Sequence, residues 1–167
     1  MSSLLHPSAN TLYAVAVIVL LGIIFALRRM PPVFFLAVFP ATLAHEFMHL
    51  VTALLLNGRP TGFRVIPQRR HHGYVLGAVT CANLRWYNGA LIGLAPLALL
   101  VVAAMLLSWR ADGRAVISGG EALWAYAIAC LTYAAFPSWQ DIKMALATSW
   151  LVIILAVAVA ALWGRWI

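Results

Sequence analysis

Charged residues are scarce in this chain: they make up 9% of its 167 positions, and only four are acidic. A soluble domain carries about a quarter charged residues. The chain therefore lacks the means to cover a water-facing surface, and a soluble globular class is excluded. Cysteine is nearly as rare. Cys81 and Cys130 form no spaced pattern, which excludes a disulfide framework and leaves two free thiols as the expectation. Residues 1–10 contain no Lys or Arg, so the positive start of a cleavable signal is missing. The first apolar run closes on Arg28-Arg29 rather than on small residues, and it is expected to remain as a helix. There is no internal repeat and no low-complexity tail.

Hydrophobic residues are abundant instead, at 65% of the chain. A membrane-spanning helix needs about 20 mostly apolar residues. Five candidate runs are present: 11–27, 33–56, 87–109, 122–136 and 144–163. Arg28-Arg29 with Pro31-Pro32, Asn57-Gly58, the polar stretch 110–120, Pro137-Ser138 and Arg165 separate or close them. Trp109, Trp163 and Trp166 stand at run ends, where interfacial aromatics belong. Pro40 and Pro96 fall inside runs, as kinks that membrane helices tolerate. The expected fold is an all-α integral membrane protein of about five transmembrane helices, one domain over 1–167.

The one long stretch that is not continuously apolar is 58–85. Phe63–Ile66 and Tyr74–Thr80 favour strands. They flank the polar, Gly-closed segment Pro67–Gly73, and together they predict a short β-hairpin-like insertion after the second helix.

The formal net charge is +7. On a soluble chain that would suggest nucleic acid. Here the cations fall in the gaps between apolar runs, where topology and lipid headgroups use them, so the expected partner is the bilayer and not nucleic acid. Five spans place Arg59, Arg64, Arg69, Arg70, Arg85 and Lys143 on one side. Arg28, Arg29, Arg110, Arg114 and Arg165 fall on the other. The five arginines of the 58–85 loop tip that loop towards the cytoplasm.

Within the second run stands His45-Glu46-Phe47-Met48-His49. Residues i and i+4 share one helix face, so His45 and His49 can bind one metal ion through imidazole nitrogens. Glu46 can reach a water at that ion and act as general base. This is the H-E-x-x-H pattern of zinc proteases. By composition it arises by chance in roughly 1 chain in 500. Ionisable groups in a membrane helix cost about 2.5–3.5 kcal/mol each at its centre, which marks them as functional candidates. The alternative is that they only hydrogen-bond neighbouring helices.

A catalytic zinc site takes three protein ligands and keeps a fourth position open. Besides Glu46 the acids are Asp112, Glu121 and Asp141. Asp112 and Glu121 belong to the loop on the far side of the membrane from the end of the motif helix. His45 and His49 lie about 18 and 24 Å along that helix from Val33, nearer the Gly58 end. Asp141 is on that side. It follows a short run broken at Pro137, and irregular backbone at membrane depth lines polar cavities. Its alternative role is to pair with Lys143 at the surface. His71 and His72 compete as ligands, and His6 less so.

These residues together resemble the site-2-protease family of intramembrane zinc metalloproteases. The likeness covers 33–144. It implies His45, His49 and Asp141 as zinc ligands and Glu46 as the catalytic base. It also implies a membrane-protein substrate and an active site towards the cytoplasmic face of a bacterial inner membrane. The family's usual third-ligand pattern, Asn and Pro followed by Leu-Asp-Gly, is replaced here by Phe136-Pro137-Ser138-Trp139-Gln140-Asp141. That form resembles a divergent branch of small bacterial membrane proteins. In the family picture 61–83 corresponds to the hairpin beside the active site, which holds an unwound substrate by edge pairing. Asn83 and Asn88 are candidate substrate contacts, with turn formation and helix capping as their alternative. Two other functions stand beside proteolysis: a non-catalytic scaffold that keeps a zinc site, and haem or metal handling through the histidines.

Overall fold

The computed structural model describes residues 9–70, 73–111 and 119–164. Its elements are mostly helices: α1 (Ala9–Leu27), α2 (Pro31–Leu55), α3 (Gly89–Leu94), α4 (Ala98–Ala111), α5 (Gly119–Ala134), α6 (Trp139–Thr148) and α7 (Trp150–Trp163). Four short strands lie between α2 and α3: β1 (Pro60–Arg64), β2 (Gln68–Arg70), β3 (Gly73–Val75) and β4 (Ala78–Cys81). His6, His71, His72, Asp112, Arg114, Arg165 and Trp166, which entered the sequence argument, lie outside the described residues.

Pro31 and Pro32 start α2, at positions where a helix has no use for the missing N–H. Val38, Ala41, Thr42, Glu46, His49 and Ala53 of α2 are buried. Leu36, Phe39, Leu43, Phe47 and Leu54, at helical spacing, form an exposed stripe on the helix, with Leu36 79% exposed. The apolar stripe faces outward and the ionisable residues face inward. That inverts a soluble amphipathic helix and suits a helix whose outer solvent is lipid.

Two helical segments are long and apolar enough to cross a membrane. One is α2, and the other is the 22-residue stretch Gly89–Arg110 made of α3, a 3-10 turn (Ala95–Leu97) at Pro96, and α4. The apolar part of α1, Tyr13–Leu27, is shorter. The five expected spans are therefore corrected to two of spanning length among the described residues. The fourth run forms α5, 16 residues or about 24 Å of helix, short of a hydrocarbon core of about 30 Å. The fifth run is divided at Ser149. There Thr148 Oγ1 and Ser149 Oγ donate to the carbonyls of Met144 and Ala145, competing with the backbone ladder.

The core lies where α1, α2, α4 and α5 meet. Ile24, Phe34, Val38, Ala41, Leu99, Cys130, Ala134 and Ala135 form one buried cluster. Tyr13, Val17, Ala103, Ala125, Ile128 and Ala129 form a second. Alanines at both crossings let the helices approach closely. Glu121 ends the second cluster, bonded to Arg110 and to the Tyr13 hydroxyl.

The hairpin expectation holds, with a tighter tip. β1 pairs with β4 and β2 with β3, all antiparallel, so the insertion is one long hairpin broken once. Pro67 has no N–H to give, and the ladder lapses there, opposite Leu76-Gly77. Part of the expected turn is strand, since Arg69 stands opposite Tyr74.

Its course was not expected. Asn57 (φ 56°) takes the left-handed conformation that ends α2, and Gly58 N–H donates to Ala53 O at 2.6 Å. A Cβ at Gly58 would lie 2.9 Å from Ile92 Cδ1 and 3.1 Å from Ala53 Cβ and O, so any side chain there has to displace a neighbour. The chain then runs back along α2: Gly77 meets Glu46, and the Tyr74 ring packs on Phe35 at 4.8 Å. The Arg69–Tyr74 pair therefore sits towards the Pro31 end of α2, while Arg59 stays at the Leu55 end. The loop's arginines do not gather on one side, and the charge asymmetry used to orient the chain dissolves.

Finally, α6 packs on α3 through Gly89 and Gly93, a G-x-x-x-G pair. A Cβ on Gly93 would come within 2.7 Å of the Asp141 carbonyl. Gly93→Val is expected to cost about 1–3 kcal/mol through overpacking. A thermal melt in detergent tests this, and an unchanged melting temperature would show that the α3–α6 contact has room to spare.

Candidate metal centre

His45 and His49 lie one turn apart on α2, on the side that faces the protein interior. His49 is buried and His45 partly so. Their orientation follows from two breaks in neighbouring helices. Pro96 lacks the N–H that would bond the Ile92 carbonyl in a continuous helix. That carbonyl accepts from Ala95 N–H in the 3-10 turn and, on its open side, from His49 Nδ1 at 2.7 Å. The Ala134 carbonyl, at the end of α5, would take the N–H of Ser138. Ser138 N–H instead donates to Asp141 Oδ2 at 2.6 Å, and Ala134 O accepts from His45 Nδ1 at 2.7 Å. Both Nδ1 atoms therefore carry a proton, and both Nε2 atoms point inward.

Asp141 is placed by a capping box. Ser138 is the N-cap of α6, its Oγ accepts from Asp141 N–H at 3.3 Å, and the Asp141 side chain accepts from Ser138 N–H in return. The carboxylate is thereby aimed at the histidines. His45 Nε2 is 3.3 Å from Asp141 Oδ2, His49 Nε2 is 3.2 Å from Oδ1, and the two Nε2 atoms are 3.1 Å apart.

Three lone-pair donors on one small triangle fit a metal ion. Ligand bonds of about 2.0–2.1 Å in a tetrahedron put donor atoms about 3.3 Å apart. The chain thus holds a His-His-Asp cluster that can bind a metal ion, as His45, His49 and Asp141 were expected to do from sequence. Asp141 does not serve as a surface partner of Lys143: Lys143 Nζ lies over the Trp139 ring at 5.4 Å. Glu121 is far from the cluster in the fold, bonded to Arg110 and Tyr13.

Glu46 is buried beside the cluster and makes no hydrogen bond among the described residues. Its side chain lies against Gly77, where a Cβ would come within 2.5 Å of Glu46 Cγ and 2.6 Å of Oε1. His45, Glu46, His49 and Asp141 all line one cavity of about 600 Å³, whose walls are α2, the stretch 74–79 of the hairpin, and the α5–α6 junction. That is room for several residues of an extended peptide.

Asn83 and Asn88 are not among the cavity's lining residues. Asn83 Nδ2 donates to Asn57 O, and its Oδ1 accepts from Arg85 Nε. Asn88, fully buried, donates to the carbonyls of Leu56 and Asn83 and accepts from Arg85 N–H. Their amides tie the end of α2 to the start of α3. Ser138, Gly77 and the Gly89–Gly93 pair were overlooked as positioning residues. Two of these were readable as local signals: S-x-x-D before an apolar run, and G-x-x-x-G inside one.

Comparison of the chain with protein-family models, with curated proteins and with solved structures finds no match.

Metal analysis of the purified protein is expected to find about one divalent ion per chain, and Asp141→Ala to lose most of it. Ser138→Ala is expected to cost about 1 kcal/mol of stability from the lost cap, with a smaller fall in metal affinity. Undiminished metal in Asp141→Ala would transfer the third ligand position to His71 or His72.

Proposed function

We propose that this chain is an intramembrane zinc metalloendopeptidase, hydrolysing peptide bonds in membrane-embedded segments of other proteins. The observation that carries the reading is the pairing of a three-donor metal cluster with a buried, unbonded carboxylate on one apolar helix, all facing one cavity. Glu46 is open to that cavity, where its carboxylate can meet a water beside the cluster. The site-2-protease resemblance of residues 33–144 implies the same activity.

The donor set narrows the metal. Two histidines and one carboxylate suit zinc, and they also suit non-haem iron. Glu46, next to a ligand and free to accept a proton, favours hydrolysis and therefore zinc. Zinc, when bound, supplies Lewis acidity and makes water acidic enough to react near neutral pH.

The protein's own residues divide the remaining work. The Glu46 carboxylate takes a proton from the attacking water and returns it to the leaving amine. The Ile92 and Ala134 carbonyls hold the imidazoles in the ligating tautomer. Gly77 leaves space for the Glu46 side chain. At Leu76-Gly77 the hairpin ladder lapses, on the cavity wall, and free backbone groups there suit pairing with an extended substrate. α2 and the Gly89–Arg110 stretch anchor the chain in the bilayer, and the shorter apolar helices α1, α5 and α7 pack with them at membrane depth. The placement in a bacterial inner membrane, with the C-terminal end of α2 towards the cytoplasm, rests on the resemblance.

Glu46→Gln is expected to retain zinc and to lower turnover of a quenched transmembrane-segment peptide by about 10²–10⁴-fold, while His45→Ala loses both. Wild-type cleavage by Glu46→Gln would sink the mechanism. A zinc-loaded wild type that never cleaves would point to a non-catalytic membrane scaffold.

A further inference from the structure

One cation in the cavity wall has no part in the chemistry above. Arg28 opens the turn after α1 and lines the same cavity as the metal cluster. Among the described residues no other Arg or Lys lines it. Arg28 is exposed, and it is held in place: Nη2 donates to Tyr133 Oη at 3.0 Å, and the guanidinium lies over Phe25 at 4.2 Å, Tyr133 at 5.7 Å and Phe34 at 6.0 Å. Tyr133 precedes Ala134, whose carbonyl orients His45, so Arg28 and the cluster are fixed to the same end of α5. An arginine that served only topology would extend towards headgroups.

The guanidinium has no carboxylate partner among the described residues. Asp141 is engaged by the histidines and Ser138, Glu121 by Arg110 and Tyr13, and Glu46 lies against Gly77. Aromatic faces and one phenol leave most of its five N–H donors open. Arg28 is thus the cation of the cavity wall, and it meets no carboxylate among the described residues. An occupant with a carboxylate would neutralise it, and a preset planar fork matches a carboxylate in two parallel hydrogen bonds.

We propose that Arg28 is a specificity-determining residue, recognising an acidic side chain of the substrate peptide through a guanidinium–carboxylate pair. This rests on the reading of the cavity as a peptide-binding site, but it is testable without cleavage. Zinc-loaded Glu46→Gln protein in detergent is titrated with fluorescent apolar peptides that carry one Glu at successive positions, each matched by the Gln peptide. At one or two positions Glu is expected to bind about tenfold tighter or more. Arg28→Gln and Arg28→Met, the latter keeping the stem on Phe25, should both abolish that preference. Full zinc content in at least one of them certifies the fold. Equal affinity for Glu and Gln peptides at every position overturns the proposal. So does a preference that persists without the guanidinium. Repeating the titration in phosphatidylcholine discs with and without phosphatidylglycerol separates lipid from peptide. An Arg28 effect that follows the anionic lipid and ignores the Glu assigns the residue to headgroups and also overturns the proposal. A Glu preference in a protein whose wild type never cleaves would leave Arg28 as proposed and remove the protease reading alone.

Discussion

A buried carbonyl whose helical donor has been removed must find another, and in an apolar setting the cost of failing is several kcal/mol. The chain contains two such carbonyls beside α2. Pro96 removes the i+4 donor for Ile92, whose carbonyl keeps only the tighter bond from Ala95 N–H, and the capping of α6 diverts the donor for Ala134. Both carbonyls accept the Nδ1 protons of the motif histidines. The exchange works in both directions. Broken helices are made tolerable by imidazoles, and the imidazoles are fixed in the orientation that turns two Nε2 atoms towards Asp141. Cavity, cluster and cap all depend on it.

The same economy explains why small residues surround the site. Gly58 lets the chain reverse against Ile92, Gly77 lets the hairpin pass over Glu46, and Gly89 with Gly93 lets α6 lie on α3. Each is a point where backbone approaches a functional element more closely than a Cβ permits. The hairpin is thereby drawn along α2 as a wall of the cavity, and not held as a loop outside the apolar layer. Its lapse at Pro67 interrupts the ladder at the level of Glu46.

Much of this was legible beforehand. The histidine pair and Glu46 follow from the i, i+4 period alone. Asp141 follows from there being so few acids to choose among. The helical class and the hairpin follow from run length and from the strand-favouring residues either side of Pro67–Gly73. The number of spans was misjudged because hydropathy counts apolar residues and does not see where Thr148 and Ser149 hydroxyls divert a ladder. The grouping of loop arginines failed for a related reason. Charge counting assumes that a loop stays where its ends are, and this one folds back beside its own helix.

What the sequence determined by itself, then, is the donor chemistry and the local periodicity that aligns it, because these depend only on residue type and spacing along the chain. Tertiary structure decided which helix-end carbonyls would meet the histidines, which asparagines would be spent on holding the chain together, and that Arg28 would stand in the same cavity as the metal cluster. Those outcomes depend on helices crossing and on backbone passing backbone, and no one-dimensional pattern encodes distances between segments a hundred residues apart.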